Sequence, residues 1–519
     1  MNFKIYSIFV ICTLITACGS TGNKENEQSQ IETKYQENWE SLAQHNEEPD
    51  WFQDAKLGIY FHWGVYSVPA FGTEWYPRNM HIEGTPVYKH HLEKYGTPAE
   101  FGYHDFVPMF KAENFDADEW AELFKKAGAR FAGPVAEHHD GFSMWDSDIT
   151  PWNTMDKGPH RDILGELEKA IKSRDMKLIT TFHHAKNLQR YKGKEQEEIE
   201  QHKDNPTQAF ADSHYPLFPG MPPTWDDPEL NYLYGNIPAE KWYEEVWYGK
   251  LKEVIDKYQP DIIWFDYMLD KIPENYRQKF CAYYLNQAEN WGKEVVIVRK
   301  QDDLPLDVSV DDLEKSRKNR LGEKSWMTDE TLSTGSWCYT ENLEIKPTAD
   351  VLHVLIDIVS KNGVLLLNIS PKADGTIPDD QKNVLLSMGE WLSKYGESIY
   401  ETRPWYTYGE GPTKEPGGGF SDHQEFLKIK YSAKDIRYTT KNNNIYATIL
   451  GWPGENSEVL MESFSNGLWE NSRNIKNVSL LGSNEKIEYS LTGNGLLVKT
   501  PQKKTDDMAI VFRIEIEEQ

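Results

Sequence analysis

Asp261-Ile262-Ile263-Trp264-Phe265-Asp266 is a short, nearly unbroken apolar run closed by a carboxylate. A strand buried on one face alternates apolar and polar residues. An unbroken run instead fits a parallel strand covered on both faces. The same form recurs at Leu57–His62, Arg130–Glu137, Lys177–His183, Glu294–Arg299 and Val364–Ile369. Amphipathic stretches lie between several of these: Asp116–Ala129, Arg161–Asp175, Ala239–Tyr258 and Pro273–Trp291. Asp116 stands three residues before Glu119, a capping-box spacing that predicts a helix start. Strand and helix alternating over about 350 residues fit an α/β fold, a (β/α)8-like (TIM) barrel. Only six strands stand out, so closure of the barrel is an inference.

Outward from this core the character changes. The 519 residues exceed one compact core and suggest several domains. Residues 185–237 break the rhythm with a polar, Pro-rich stretch and the acidic run Glu195–Glu200. That insertion reads either as a lid over one barrel face or as a solvated loop. After Trp405, Gly409–Gly419 reads as a linker. Short alternating runs follow at Glu425–Tyr431, Ile436–Thr440 and Ile445–Leu450, with Asn442-Asn443-Asn444 as a hairpin turn. They predict a C-terminal antiparallel β-sandwich. At the other end, Lys4 precedes the apolar stretch Ile5–Ala17, which is too short for an ordinary membrane span. Its end, Ile15-Thr16-Ala17-Cys18, resembles a bacterial lipoprotein signal, which implies acylation at Cys18 and export to the periplasm or outer-membrane surface. The expected divisions are 1–18 signal peptide, 19–45 flexible tether, 46–405 barrel and 406–519 sandwich. Cys281 and Cys338, the cysteines left after the signal, define neither a disulfide framework nor a zinc site. A net charge of −27 disfavours nucleic-acid partners.

Catalytic groups of such barrels stand at the C-terminal ends of strands. Five strand ends carry polar or aromatic chemistry: His62-Trp63-Gly64 with Glu74-Trp75, then His138-His139-Asp140, His183-His184, Trp264-Phe265-Asp266 and Arg299. Each alone has a bland explanation, such as a helix cap or a satisfied histidine. Five on successive strands converge on one mouth. Histidine, arginine and carboxylate there suit either a metal hydrolase or the hydroxyls of a sugar, with tryptophan stacking on its ring. The metal reading is the weaker. Adjacent His138 and His139 on a strand would point to opposite faces, although both could face a ligand from beyond the strand end.

These residues carry a family resemblance. Lys56–Gly64 with Glu74-Trp75-Tyr76, His138-His139-Asp140-Gly141-Phe142, Ser336-Trp337-Cys338-Tyr339 and Asn362–Gly375 resemble the motifs of glycoside hydrolase family 29, the α-L-fucosidases. The match runs from about Trp51 to Trp405. It implies a retaining exo-fucosidase that needs no cofactor or metal and acts on fucosylated oligosaccharides or polysaccharides through a covalent fucosyl-enzyme. It places the nucleophile at Asp266, with His62, Glu74, Trp75, His138, His139, Trp264 and Arg299 lining the sugar pocket. Arg299 would keep Asp266 ionised. His183 stands where many members carry Tyr and takes over that hydroxyl contact. Alignment puts the general acid/base at Glu314, with Glu323 and Asp329 as runners-up. Cys338 replaces a usual Gly, and Met327 replaces a Glu found in some members. Two alternatives remain: a non-catalytic glycan-binding lipoprotein, or the same site acting on a fucose-like sugar such as an α-L-galactoside.

Overall fold

The computed structural model describes residues 33–188, 227–416, 423–469 and 474–517. The signal with Cys18, and most of the 185–237 insertion, lie outside the described residues. Tyr35–Gln519 form one compact unit. Residues 35–45, expected to belong to the tether, are part of this unit. Tyr35 is already buried and its amide donates to Asn286 Oδ1 at 3.0 Å. Among the described residues no helix is long and apolar enough to cross a membrane.

Eight parallel strands close into a barrel in chain order. They are β1 (Leu57–Phe61), β2 (Phe131–Glu137), β3 (Lys177–Phe182), β4 (Ile262–Phe265), β5 (Val296–Arg299), β6 (Val310–Asp312), β7 (Trp326–Thr331) and β8 (Gly363–Ile369). Six match the predicted runs. β6 and β7 do not appear among them, because both carry buried acidic residues. The four expected helices form, at Ala117–Lys126, Ile163–Lys172, 239–258 and Glu274–Trp291. Asp116 caps the first by accepting from the amides of Asp118 and Glu119.

Two apolar layers explain the unbroken runs. Ile263 and Phe265 pack outward with the helices, whereas Ile262 and Trp264 pack inward with Tyr60, Ile179, Val296, Val298, Val310, Met327 and Leu366. Side chains alternate along a strand, so this inner layer fixes which residue emerges at the C-terminal mouth. Continuing by two gives Asp266 after Trp264, and Lys300 after Val298. The same step gives Glu314 after Asp312, Asp329 after Met327 and Asn368 after Leu366.

The C-terminal region is a sandwich. β9 (Arg403–Glu410), β10 (Ile436–Lys441), β11 (Asn444–Ile449), β13 (Ile475–Leu480) and β16 (Ile510–Ile516) form one antiparallel sheet. β12 (Glu458–Met461), β14 (Tyr489–Thr492) and β15 (Gly495–Lys499) form the other. Tyr438, Ala447, Phe512, Met461 and Val498 share one core between them. The predicted hairpin is present. Lys441 pairs with Asn444 across a two-residue turn, and Asn442 has φ 53°. Two expectations shift. β9 already begins at Arg403, inside the predicted barrel and running into the predicted linker, because it pairs with β10. Glu425–Tyr431 is not a strand, since a short helix spans His423–Phe426.

Candidate active site

Asp266 follows β4 and is only 7% exposed. Its Oδ2 lies 3.2 Å from His139 Nε2 and 3.2 Å from His183 Nδ1. Its Oδ1 accepts from Lys300 Nζ at 3.0 Å. Burial alone would raise this carboxyl. The Lys300 ammonium and the two imidazole hydrogen bonds outweigh it and hold Asp266 well below the usual carboxylate range. The group is therefore an anion at any ordinary pH.

The histidines arrive from three strands. β2 shifts register between Val135 and Glu137 and then ends, so His138 and His139 lie beyond the strand. Freed from alternation, both rings reach the mouth. His138 stacks on His183 at 4.8 Å, and His62 lies 5.2 Å from His183. Asn368 on β8 accepts from the His62 amide at 3.0 Å and meets its Nδ1 at 2.8 Å, leaving Nε2 turned toward the mouth. Burial pushes His62 well down, and His139 down to about 4. Both are neutral imidazoles near neutral pH.

Glu74 is buried and accepts from the Trp337 amide at 3.2 Å. Trp75 packs 5.0 Å from His139. Trp337 stacks on His62 at 5.3 Å and was not among the predicted site residues. Trp264 is fully buried and forms the floor, beneath His183 at 5.1 Å and with Lys300 Nζ 4.6 Å above its ring.

Arg299 departs from its expected place. Its guanidinium reaches the Leu304 carbonyl, Asp302 and Asp311. Val296 and Val298 face inward, so Arg299 faces the other way and Lys300 enters the mouth. The cation on Asp266 is therefore Lys300, one residue later than predicted.

Lys300 also reaches Glu314 Oε2 at 2.9 Å and Asp329 Oδ2 at 3.3 Å. Burial pushes the Glu314 carboxyl up to about 7, with Asp329 and Asp266 adding to the rise and Lys300 opposing it. Two carboxyls thus sit on one ammonium with opposite bias, one ionised and one holding a proton near neutrality. Of the other acid candidates, Asp329 is wholly buried and accepts from Tyr60 Oη at 3.0 Å. Glu323 is exposed and precedes β7, at the opposite end of the barrel from the mouth.

Two sets of side chains have the spacing of cation ligands: His62, His138 and His183, and His139, His183 and Asp266, with ligand atoms within 4.8 Å of one another. In the second set, the Lys300 ammonium already occupies Asp266 and opposes a further cation.

Comparison with known proteins agrees with this arrangement. The family profile described as Alpha-L-fucosidase matches residues 23–397, and the Alpha-L-fucosidase C-terminal domain matches residues 430–515. The chain is 28% identical to the tissue alpha-L-fucosidase of Mus musculus over 92% of this chain and 93% of that protein. It is 29% identical to the plasma alpha-L-fucosidase of Homo sapiens, covering 91% and 89%. The crystal structure of Thermotoga maritima alpha-fucosidase in complex with fucose superimposes with a TM-score of 0.70 at 28% identity, covering 92% of this chain and 100% of that one. With both its barrel and its sandwich matched, the chain belongs to the α-L-fucosidase family, glycoside hydrolase family 29.

Proposed function

We propose that this protein is a retaining exo-α-L-fucosidase in which Asp266 is the nucleophile and Glu314 the general acid/base. The observation that carries the reading is the shared ammonium of Lys300, 3.0 Å from Asp266 and 2.9 Å from Glu314. Oxygens of both carboxyls on one nitrogen are held within about 6 Å of each other. That spacing supports a retaining pair over the wider separation of an inverting one. Asp266 attacks the anomeric carbon while Glu314 protonates the departing glycosidic oxygen. Glu314 then takes a proton from the water that releases the sugar. Neutral His62 and His139, together with His138, His183 and Glu74, supply donors and acceptors for the three free hydroxyls of fucose. Trp75 and Trp337 offer apolar faces to its ring and methyl group.

The test is release of phenol from an aryl α-L-fucoside, with the first-formed sugar anomer followed by NMR. α-L-fucose appearing first supports the reading. The β anomer would overturn retention. Binding without release would make the protein a glycan-capturing module, and equal cleavage of the aryl α-L-galactoside would remove fucose selectivity. The substrates proposed are fucosylated oligosaccharides or polysaccharides. Acylation at Cys18 would make the enzyme an exported lipoprotein held in the periplasm or at the outer-membrane surface, and C18S should release it from the membrane fraction.

A further inference from the structure

Lys300 is surrounded by more acid than one ammonium balances. Besides Asp266 and Glu314 it faces Asp329, whose Oδ2 also accepts from Tyr60. Behind Asp329 lies Asp312, on the inner face of β6 and 1% exposed. Neither oxygen of Asp312 nor Asp329 Oδ1 meets a conventional donor among the described residues. A single proton between the two carboxyls pairs one oxygen of Asp312 with one of Asp329. Burial and the charge of Asp329 push Asp312 well up, so the proton resides on Asp312 and is donated to Asp329. Asp329 is thereby held behind Lys300, its Oδ2 between Tyr60 Oη and Lys300 Nζ.

We propose that Asp329, braced by Tyr60 and Asp312, is a positioning residue that pins Lys300 midway between Asp266 and Glu314, so that Lys300 transfers its pairing between them as the reaction moves negative charge. This rests on the roles given to Asp266 and Glu314 above. In the first step Asp266 forms the bond to the anomeric carbon, the glycosidic C–O bond breaks and the Glu314 proton goes to the leaving oxygen. Asp266 becomes a neutral ester and Glu314 an anion. In the second step water attacks the anomeric carbon and gives its proton to Glu314, and the ester bond returns its electron pair to Asp266. The total charge around Lys300 is the same before and after each step. Only its position changes, and an ammonium held between the two sites needs no large movement to follow it. Other groups facing this cluster are Tyr267 and Lys315 near Glu314, and His62, His139 and His183 near Asp266.

The test is the pH profile of kcat/KM on an aryl fucoside for folded variants, with folding checked by circular dichroism. Asp329→Asn removes an anion beside Glu314 and should move the alkaline limb acid-ward by about one pH unit. Lys300→Met removes the cation and should move the same limb the other way. Asp312→Asn mimics the protonated partner and should leave the limb in place. Limbs that do not move, or that move together for Asp329→Asn and Lys300→Met, overturn the proposal. So does a shift by Asp312→Asn equal to that of Asp329→Asn. If Asp329→Asn does not fold, the other two variants decide. If the wild type cleaves no fucoside, the functional reading fails by itself. Difference infrared titration of the Glu314 carboxyl in the same variants then tests the network separately.

Discussion

Two of the buried charge clusters among the described residues differ in kind. The first surrounds Lys300 at the barrel mouth, with four acids around one cation. The second lies between barrel and sandwich. Asp357, on the helix Thr348–Ser360, meets Lys361 Nζ at 2.8 Å, Arg437 Nε from β10 at 2.6 Å and Arg317 Nε at 3.6 Å. Glu415 joins Lys361 and Arg437. There the charges nearly balance. Burial would raise Asp357, but three cations hold it far below the usual carboxylate range. Strongly perturbed ionisation therefore does not mark function by itself. The mouth cluster is acid-rich and pushes one carboxyl up and another down, as acid/base chemistry requires. The interior cluster drives Asp357 one way only and serves as a clamp.

Breaking each cluster should give opposite signatures. The largest effect is expected from Asp266→Asn, which should lower kcat by about 10⁴-fold or more with the melting temperature little changed. Near-normal turnover would remove Asp266 as nucleophile. Glu314→Ala should cost about 10²–10⁴-fold on poor leaving groups and far less on activated aryl fucosides, with azide restoring rate. A uniform loss across leaving groups would send the acid role elsewhere. Asp357→Ala leaves three buried cations underpaired and should destabilise the fold by about 3–5 kcal/mol in denaturant titration, while KM for the residual folded enzyme stays unchanged. The Asp357 contribution is present above the unfolded carboxylate pKa and is lost as pH falls through the depressed folded value, so wild type and variant should converge in acid. The smallest effect concerns Glu314 alone. Its folded pKa is raised to about 7, so a penalty on the folded state builds as pH rises from the unfolded carboxylate value toward 7 and is complete above it. Glu314→Gln should therefore stabilise the protein by about 1–2 kcal/mol at pH 8 and by nothing at pH 4, where the wild-type group is protonated in both states. Equal stabilisation at both pH values would point to packing instead.

The same contrast runs through what the sequence revealed. β1 to β5 and β8 announce themselves as apolar runs, and the histidines and Asp266 at their ends were readable at once. β6 has three residues, two of them aspartates, and β7 reads Trp-Met-Thr-Asp-Glu-Thr. Both look solvated in sequence. The acids of β7 are buried because partners distant in sequence meet them, Lys300 and Tyr60 on Asp329 and Lys346 on Glu330. No local pattern carries that information. Lys300 was within reach of sequence reasoning. Once Val296 and Val298 are taken as inward-facing, alternation excludes Arg299 and selects the next residue. Arg299 stands out instead because it is the first polar residue after the apolar run, and the family resemblance points to it as well. Trp337 was visible only as part of a motif, because its value depends on His62 lying beneath it.

The clamp at Asp357 bears on how the protein can be divided. Its helix joins β7 to β8, and β8 delivers the Asn368 that orients His62. Arg437 comes from the sandwich, as do the Met508 carbonyl bonded to His353 at 2.7 Å and the Ala509 carbonyl bonded to the Trp391 indole at 2.9 Å. A chain cut near residue 402 would strip these partners from the last barrel helices and open their apolar backs to water. The sandwich is thus a permanent outer wall of the catalytic body. Engineers seeking a minimal enzyme should graft new modules after it and leave it in place.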